Sequence, residues 1–472
     1  MVIGVVVAAL VCAGIMEYRQ RDLYWYDASA DYRFDFTGQD VQVIQVPLSA
    51  DGTFEFPVSK ASWQTALVRL EVESRLLASW WEPSVSVRAV GTVSCQQHFE
   101  RRASGTRYVN LCSGPGDLPA GSRVVLEGRN LSLPAQMVEV MLFRAPPLDS
   151  ARILVVAPHP DDAEIAAYGL YAHRNSWIVT ATTGSYGGDR YAGLATTRTE
   201  RDSLEAKLRE WDSMVVPTMG GLSPNRSINL GYFTTHLETM RRAPLDVVKN
   251  RERRSATVLG SRSRESMLSL RPSVSTWENL VGDLVSIIGR VAPTVIVFPH
   301  PALDANRDHI FTADAVLESL QRLEDPVADL LLYTNHHVHA EYYPFGPSGD
   351  AVTLPPWFSG AVTFRSLYSA PLSPALQREK LFALDAMHDL RAPPELVVGS
   401  VPARIVSRMA KAVRDVWRDP ARELSYIRRA VRSNELFFAY RGDDRAVLQR
   451  LLPSSPRVPV ARIRAPAYRP KS

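Results

Sequence analysis

Two stretches of this chain bring together residue types that can hold a cation and move a proton. In PHPDDAE, His159, Asp161 and Asp162 stand almost side by side. In PHPALDANRDH, His300, Asn306 and His309 share a second polar run. An imidazole beside two carboxylates suits a hard or borderline cation such as zinc. If the two runs are neighbours in space, His159, Asp162 and His309 converge on one ion. Three protein ligands leave a position open for water, as catalytic zinc sites do. The ion would bring the pKa of that water down toward about 7. Asp161, one residue from a ligand, is then the base that takes its proton. The plainer alternative is that Asp161 and Asp162 only cap a helix. A cap needs one such residue and gives no reason for a histidine between Pro158 and Pro160.

The elements around these runs favour an open α/β sheet. Ile153 to Ala157 is an apolar run of the length of a buried parallel strand. Ala163, Glu164, Ile165, Ala166, Ala167 and Leu170 read as the helix after the turn, so the polar residues sit at the carboxyl end of a strand, where such sheets place their chemistry. The architecture repeats: Val295 to Phe298 is a strand, PHPALDANRDH a turn, Ile310 to Leu320 a helix. Further strands are expected over 177–182, 227–230 and 330–333, and helices over 196–214 and 277–291. Alternation of this kind supports a doubly wound, Rossmann-like parallel sheet.

Before this region the text is β. VQVIQVPL, TFEFPV, ALVRLEVES, VSVRAVGTVSC, YVNLC, RVVLEGRNLSL and QMVEVMLF are short branched or alternating runs divided by turn residues, the pattern of an all-β sandwich-like domain. Cys95 and Cys112 flank an expected hairpin turning near Ser104-Gly105. They form a disulfide in an oxidising compartment or stay as two buried thiols. Trp80 and Trp81 read as core residues or as stacking surfaces for a sugar. RAPPLDSA, 144–151, is a linker. The expected organisation is an apolar segment over 1–22, the β-domain over 23–147, the α/β domain over 148–400 and a basic helical extension and tail over 401–472.

The 472 residues, 46% hydrophobic and 22% charged, are those of an ordinary globular chain with room for two or three domains. Three cysteines without a CxxC argue against a cysteine-based zinc site. MVIGVVVAALVCAGIM, slightly short for a membrane span, suits a signal-peptide core or signal anchor. This predicts attachment in the cell envelope, on the periplasmic side by preference. Arg19 and Arg21 after the run favour the cytoplasmic side instead. The net charge is only +4. A basic cluster over 241–264 (Arg241, Arg242, Lys249, Arg251, Arg253, Arg254, Arg262 and Arg264) is either a solvated insertion or a landing strip for an anionic glycan or membrane surface. No nucleic-acid motif accompanies it, so no nucleic-acid partner is expected.

PHPDDAE resembles the AHPDDE signature of the PIG-L/LmbE-like de-N-acetylases, and NRDH over 306–309 resembles that family's second motif. The resemblance spans roughly residues 150–400. It implies an LmbE-like fold, zinc held by His159, Asp162 and His309, and Asp161 as general base. It implies removal of acetyl groups from N-acetylglucosamine units of glycolipids and small glycoconjugates. TATTG over 180–184 resembles the strand and turn beside the family's metal. Arg198 falls where the family often has a substrate-contacting arginine, although Arg201 stands where a glutamate usually follows. Asn306 replaces the histidine that opens the second motif. Its amide can donate to an oxyanion but cannot supply a proton, leaving a protonated Asp161, His300, His336 or His337 as the acid. Thr234 stands where an aspartate often meets sugar hydroxyls.

The expected function is therefore zinc-dependent removal of the N-acetyl group from an N-acetylhexosamine unit of an envelope glycan or glycolipid, such as a lipopolysaccharide core sugar. The alternative, favoured by Asn306 and Thr234, is a catalytically decayed glycan-binding or scaffolding protein. A cytosolic small-thiol deacetylase would leave the apolar segment and β-domain unexplained. The oligomeric state is not legible.

Overall fold

The computed structural model describes residues 26–36, 40–89, 94–114, 116–250, 274–323, 328–358, 363–391, 425–450 and 452. The expected apolar segment over 1–22, the basic cluster beyond 250, and the extension over 401–424 lie outside the described residues. Among the described residues no helix is long and apolar enough to cross a membrane. The chain forms two compact units: one holds the described residues up to Arg144 and from His336 to Thr363, the other Ala145 to Asn335 and those from Phe364 on.

The first unit contains two antiparallel sheets. One orders Val41–Leu48, Gln136–Phe143, Thr65–Ser74 and Gly105–Asn110; the other Thr53–Glu55, Arg123–Arg129, Ser84–Ala89 and Ser94–His98. Alternation decides which side chains turn inward: along Thr65–Ser74, Leu70 and Val72 are buried while Arg69 and Glu71 are exposed. Inward residues of both sheets, among them Val68, Val85, Val109 and Val124, join one apolar core. The hairpin expected between Cys95 and Cys112 does not form. Cys95 lies on a strand paired with Ser84–Ala89, and Cys112 follows a strand paired with Thr65–Ser74. The two cysteines are joined by a disulfide, which therefore ties one sheet to the other. Trp81 is exposed rather than packed in the core.

The second unit carries the two polar runs. Its principal elements in chain order are β1 (Ile153–Ala157), α1 (Asp162–Tyr171), β2 (Ser176–Thr182), α2 (Arg198–Val215), β3 (Ser227–Tyr232), α3 (Trp277–Val291), β4 (Val295–Pro299), α4 (Arg307–Arg322), β5 (Asp329–Tyr333), β6 (Ser366–Pro371), α5 (Pro374–Ala386) and β7 (Asn434–Tyr440). The sheet order is β3-β2-β1-β4-β5-β7-β6. The first five strands are parallel, and every residue of β1 and β4 is buried, as strands covered on both faces require. β7 pairs antiparallel with both β5 and β6. The sheet is thus mixed, not the wholly parallel one expected.

The limits of this unit also differ from 148–400. NELFFAY, read as part of a helical extension, is strand β7. Residues 336–358 leave for the other unit, because their backbone and side-chain groups find partners there: Ala351 N–H donates to Gln96 O at 2.8 Å and Thr353 Oγ1 to Tyr108 O at 2.7 Å.

β1 and β4 lie side by side with Ile153 opposite Val295 and Val155 opposite Val297. The chain winds outward from β1 through β2 to β3, then returns to β4 on the other side. The crevice at the carboxyl ends of such a pair is the switch point where open α/β sheets bind ligands. Both polar runs open into it.

Candidate metal centre

The turn after β1 folds back on itself. Asp162 Oδ2 accepts from the His159 N–H at 3.0 Å and lies 3.1 Å from His159 Nδ1. Asp161 occupies the N-cap position of α1 but its side chain makes no cap hydrogen bond. The capping alternative therefore does not describe it. Behind the turn, α1 breaks at Ala167, whose φ of −139° is not helical. A buried ion pair fills the break. Lys380 Nζ donates to Ile165 O at 2.9 Å and to Glu435 Oε1 at 2.8 Å, and Glu435 accepts from the N–H groups of Gly169 and Leu170 at 2.8 and 3.0 Å. α5 and β7 thus fix the short helical segment that carries the two aspartates.

The turn after β4 ends at Asn306, the N-cap of α4, whose side-chain oxygen accepts from Asp308 N–H at 2.9 Å. This places His309 in the first turn, where its Nε2 lies 3.1 Å from Asp162 Oδ2. His159 and His309 flank the same carboxylate oxygen with ring centroids 5.2 Å apart. The ligand atoms of His159, Asp162 and His309 all lie within 4.8 Å of one another, and all three residues are buried.

Each outer edge of the triad has its own support. The far nitrogen of His159, Nε2, lies 3.1 Å from Asp308 Oδ2, which also accepts from Thr235 N–H at 2.7 Å. The far nitrogen of His309, Nδ1, lies 3.0 Å from Asp304 Oδ2. Asn335 Nδ2 donates to Asp162 Oδ1 at 2.7 Å. Carboxylates behind metal-binding imidazoles fix ring orientation and raise ligand basicity. Sequence reasoning missed Asp304, Asp308 and Asn335. Two of them stand within the quoted run PHPALDANRDH, but only the strand order reveals which ring each one meets.

The donor set fits a zinc-type ion. Ligands at 2.0–2.1 Å in a tetrahedron stand about 3.3 Å apart, close to the 3.1 Å separations of His159 Nδ1 and His309 Nε2 from Asp162 Oδ2. The electrostatics agree. Burial would lower the pKa of His159, but Asp162 and Asp308 outweigh it and raise it. Burial is likewise overcome at His309, which Asp162 and Asp304 hold well above the ordinary imidazole range. Burial would raise Asp162; the two imidazoles hold it well below the carboxylate range. The pocket concentrates negative charge on groups that otherwise take up protons.

Asp161 differs. Burial pushes its carboxyl up, against the pull of Arg209, whose Nη2 is 3.3 Å from Oδ2. Arg209, on α2, was not singled out from the sequence. Arg198 sits instead at the exposed start of α2, with its guanidinium beside Gly187. The Tyr186 hydroxyl lies 3.4 Å from His159 Nε2, and the Tyr186 and Gly188 N–H groups both donate to Glu205 Oε2. Burial raises the phenol pKa further above its ordinary value. Thr234 Oγ1 donates to Thr182 Oγ1 at 3.3 Å. His300 is fully buried; its Nδ1 accepts from the N–H groups of Ala302 and Leu303, and Nε2 meets Tyr440 Oη at 3.1 Å. Burial lowers its pKa to about 3. A neutral ring so engaged is a structural turn, not an acid. His336 and His337 belong to the β-rich unit.

Residues 154–320, which include both turns, match the model of the PIG-L family, described as GlcNAc-PI de-N-acetylase. The match covers about a third of the chain. This match supports a hydrolytic de-N-acetylase acting on an N-acetylated sugar, and the deacetylases of the matched family are metal-dependent. Among solved structures, the chain is similar to the A40926 pseudoaglycone deacetylase Dbv21, with 16% identity over 62% of this chain and 98% of that one and a TM-score of 0.34. It is also similar to GalB, the 4-carboxy-2-hydroxymuconate hydratase of Pseudomonas putida KT2440, with 13% identity over 61% and 95% and a TM-score of 0.31. No curated protein matches the chain.

Proposed function

We propose that the chain is a zinc-dependent amide hydrolase that removes the N-acetyl group from an N-acetylhexosamine unit of an envelope glycan or glycolipid. The observation that carries this reading is the convergence of His159, Asp162 and His309 at the switch point, each with a partner behind it. These three residues would hold the ion. When bound, zinc supplies Lewis acidity: it polarises a carbonyl and lowers the pKa of water.

The chain's own residues do the rest. Asp161 takes a proton from the attacking water as the new C–O bond forms. As the C–N bond breaks, the same carboxyl returns that proton to the leaving nitrogen, giving acetate and a free amine. A carboxyl with a raised pKa suits both halves of this exchange. It also removes the need for an imidazole acid, which Asn306 cannot replace. The Asn306 oxygen caps α4, so only its amide NH2 is left to meet an oxyanion. The Tyr186 hydroxyl, beside His159, is a second donor for the acetamide oxygen. Arg198, at the exposed start of α2, is assigned to contacts with the outer part of the acceptor.

The Cys95–Cys112 bridge supports an oxidising compartment. Together with the apolar run at 1–16 it favours a protein attached to the envelope with its body on the periplasmic side. The test is acetate release from a panel of N-acetylhexosamine conjugates by the zinc-loaded protein. Release that falls about 1,000-fold or more in Asp161→Asn supports the reading. Sugar binding without acetate from any conjugate would favour the non-catalytic glycan-binding alternative, for which the capping role of Asn306 is the specific observation.

A further inference from the structure

The Asp161 carboxylate has no anchor on its own helix, since it stands at the N-cap without capping. What holds it comes from α2. Arg209 Nη2 reaches Asp161 Oδ2 at 3.3 Å, and the Arg209 side chain is only 6% exposed. On its other side the guanidinium pairs with Asp389, in the segment after α5. That segment is itself pinned to α2: His388 N–H donates to Asp212 Oδ2 at 2.8 Å, and His388 Nδ1 lies 2.6 Å from Asp212 Oδ1.

The loop after β2 makes room for this arrangement. Gly184 has a φ of +69°, and a Cβ there would lie 2.3 Å from Arg209 Nε and 2.7 Å from Pro160 Cδ. A side chain at 184 would displace either the guanidinium or the turn carrying His159. The loop therefore uses a residue without a side chain at the one place where the guanidinium must pass.

We propose that Arg209 is the positioning residue for the base of this site: braced by Asp389, it fixes Oδ2 of Asp161 and so sets the direction in which the remaining oxygen meets water. Among the described residues no hydrogen bond or ion pair reaches Asp161 Oδ1, and the side chain keeps 13% exposure. A planar guanidinium holds two carboxylates in one fixed geometry; an ammonium is a compact point charge on a flexible stem that does not impose that plane. The inference rests on the hydrolase reading given above.

The test compares zinc-loaded wild-type protein with Arg209→Gln, Arg209→Lys, Arg209→Ala and Asp389→Asn, measuring zinc per chain, thermal midpoint, kcat and KM for acetate release. Misplacing a reacting group by about 1 Å costs on the order of 100-fold. Arg209→Gln and Arg209→Lys are expected to keep one zinc per chain and to lose about 100-fold in kcat with KM changed less than about threefold. Asp389→Asn is expected to lose less. Millimolar guanidinium is expected to restore part of the activity of Arg209→Ala. Unchanged kcat in Arg209→Gln, or loss of zinc and folding in step with activity and no rescue, overturns the proposal. Absence of acetate release from the wild-type protein itself refutes the hydrolase reading, and the positioning role falls with it.

Discussion

His159 and His309 come from turns far apart in the chain, yet both place a ring nitrogen 3.1 Å from one oxygen of Asp162. The carboxylates around them hold both imidazoles above the ordinary pKa of 6.5. The metal-free rings therefore hold protons more tightly than free imidazoles do, and an incoming divalent cation competes with those protons. Apparent zinc affinity should rise with pH from 6.5 upward, and binding should release protons. Isothermal titration in buffers of different ionisation enthalpy measures this directly. Affinity independent of pH in that window would count against binding at these rings.

Asp304 and Asp308 each support one ring. Replacing either by asparagine keeps the shape but removes the charge that orients and activates the ligand. Zinc affinity should fall about 10- to 100-fold in each variant, measured by competition with a chromophoric chelator. Asp308→Asn should also loosen the loop at Thr235, whose N–H donates to it.

Much of this architecture is legible in the text of the chain because buried parallel strands announce themselves as short apolar runs: ILVVA and VIVFP are β1 and β4 as expected. The triad follows once those strands are neighbours. Other features depend on tertiary partners. NELFFAY follows basic helical text and becomes a strand only because β5 and β6 offer it hydrogen bonds. Residues 336–358 carry no periodicity and join the β-rich unit through isolated hydrogen bonds between side chains and backbone. Arg209 looks like any charged residue on an amphipathic helix; its meeting with Asp161 requires the glycine at 184 and the turn after β1 to lie beneath it. Cys95 and Cys112 look like two sides of a hairpin, and the sheet assignment alone separates them.

The break in α1 is held by Lys380 and Glu435, whose side chains are 1% and 3% exposed. Lys380→Met leaves an uncompensated buried carboxylate and should destabilise the protein by about 3–5 kcal/mol. Adding Glu435→Gln, which removes the charge and keeps one of the two oxygens that accept from Gly169 and Leu170, should recover part of that loss. Urea unfolding of the single and double variants distinguishes this from additive behaviour.

His300 is neutral in the folded protein, with its pKa lowered by burial from 6.5 to about 3. The unfolded chain takes up a proton as pH falls through 6.5, and the folded chain does not until about 3. Stability from this group is present above 6.5 and declines on acidification at up to about 1.4 kcal/mol per pH unit. In His300→Gln the urea midpoint should fall less steeply between pH 6.5 and 4 than in the parent protein, whatever its value at pH 8. Equal slopes would show that His300 titrates normally in the folded state.

The central claim is that two turns at the switch point grip one cation, and metal content tests it most directly. Purified protein dialysed against zinc and then against metal-free buffer should retain about one equivalent by plasma mass spectrometry, and His309→Ala, treated identically and still folded by circular dichroism, should retain almost none. Parent protein that keeps no zinc, or a His309→Ala variant that keeps as much as the parent, would contradict the account.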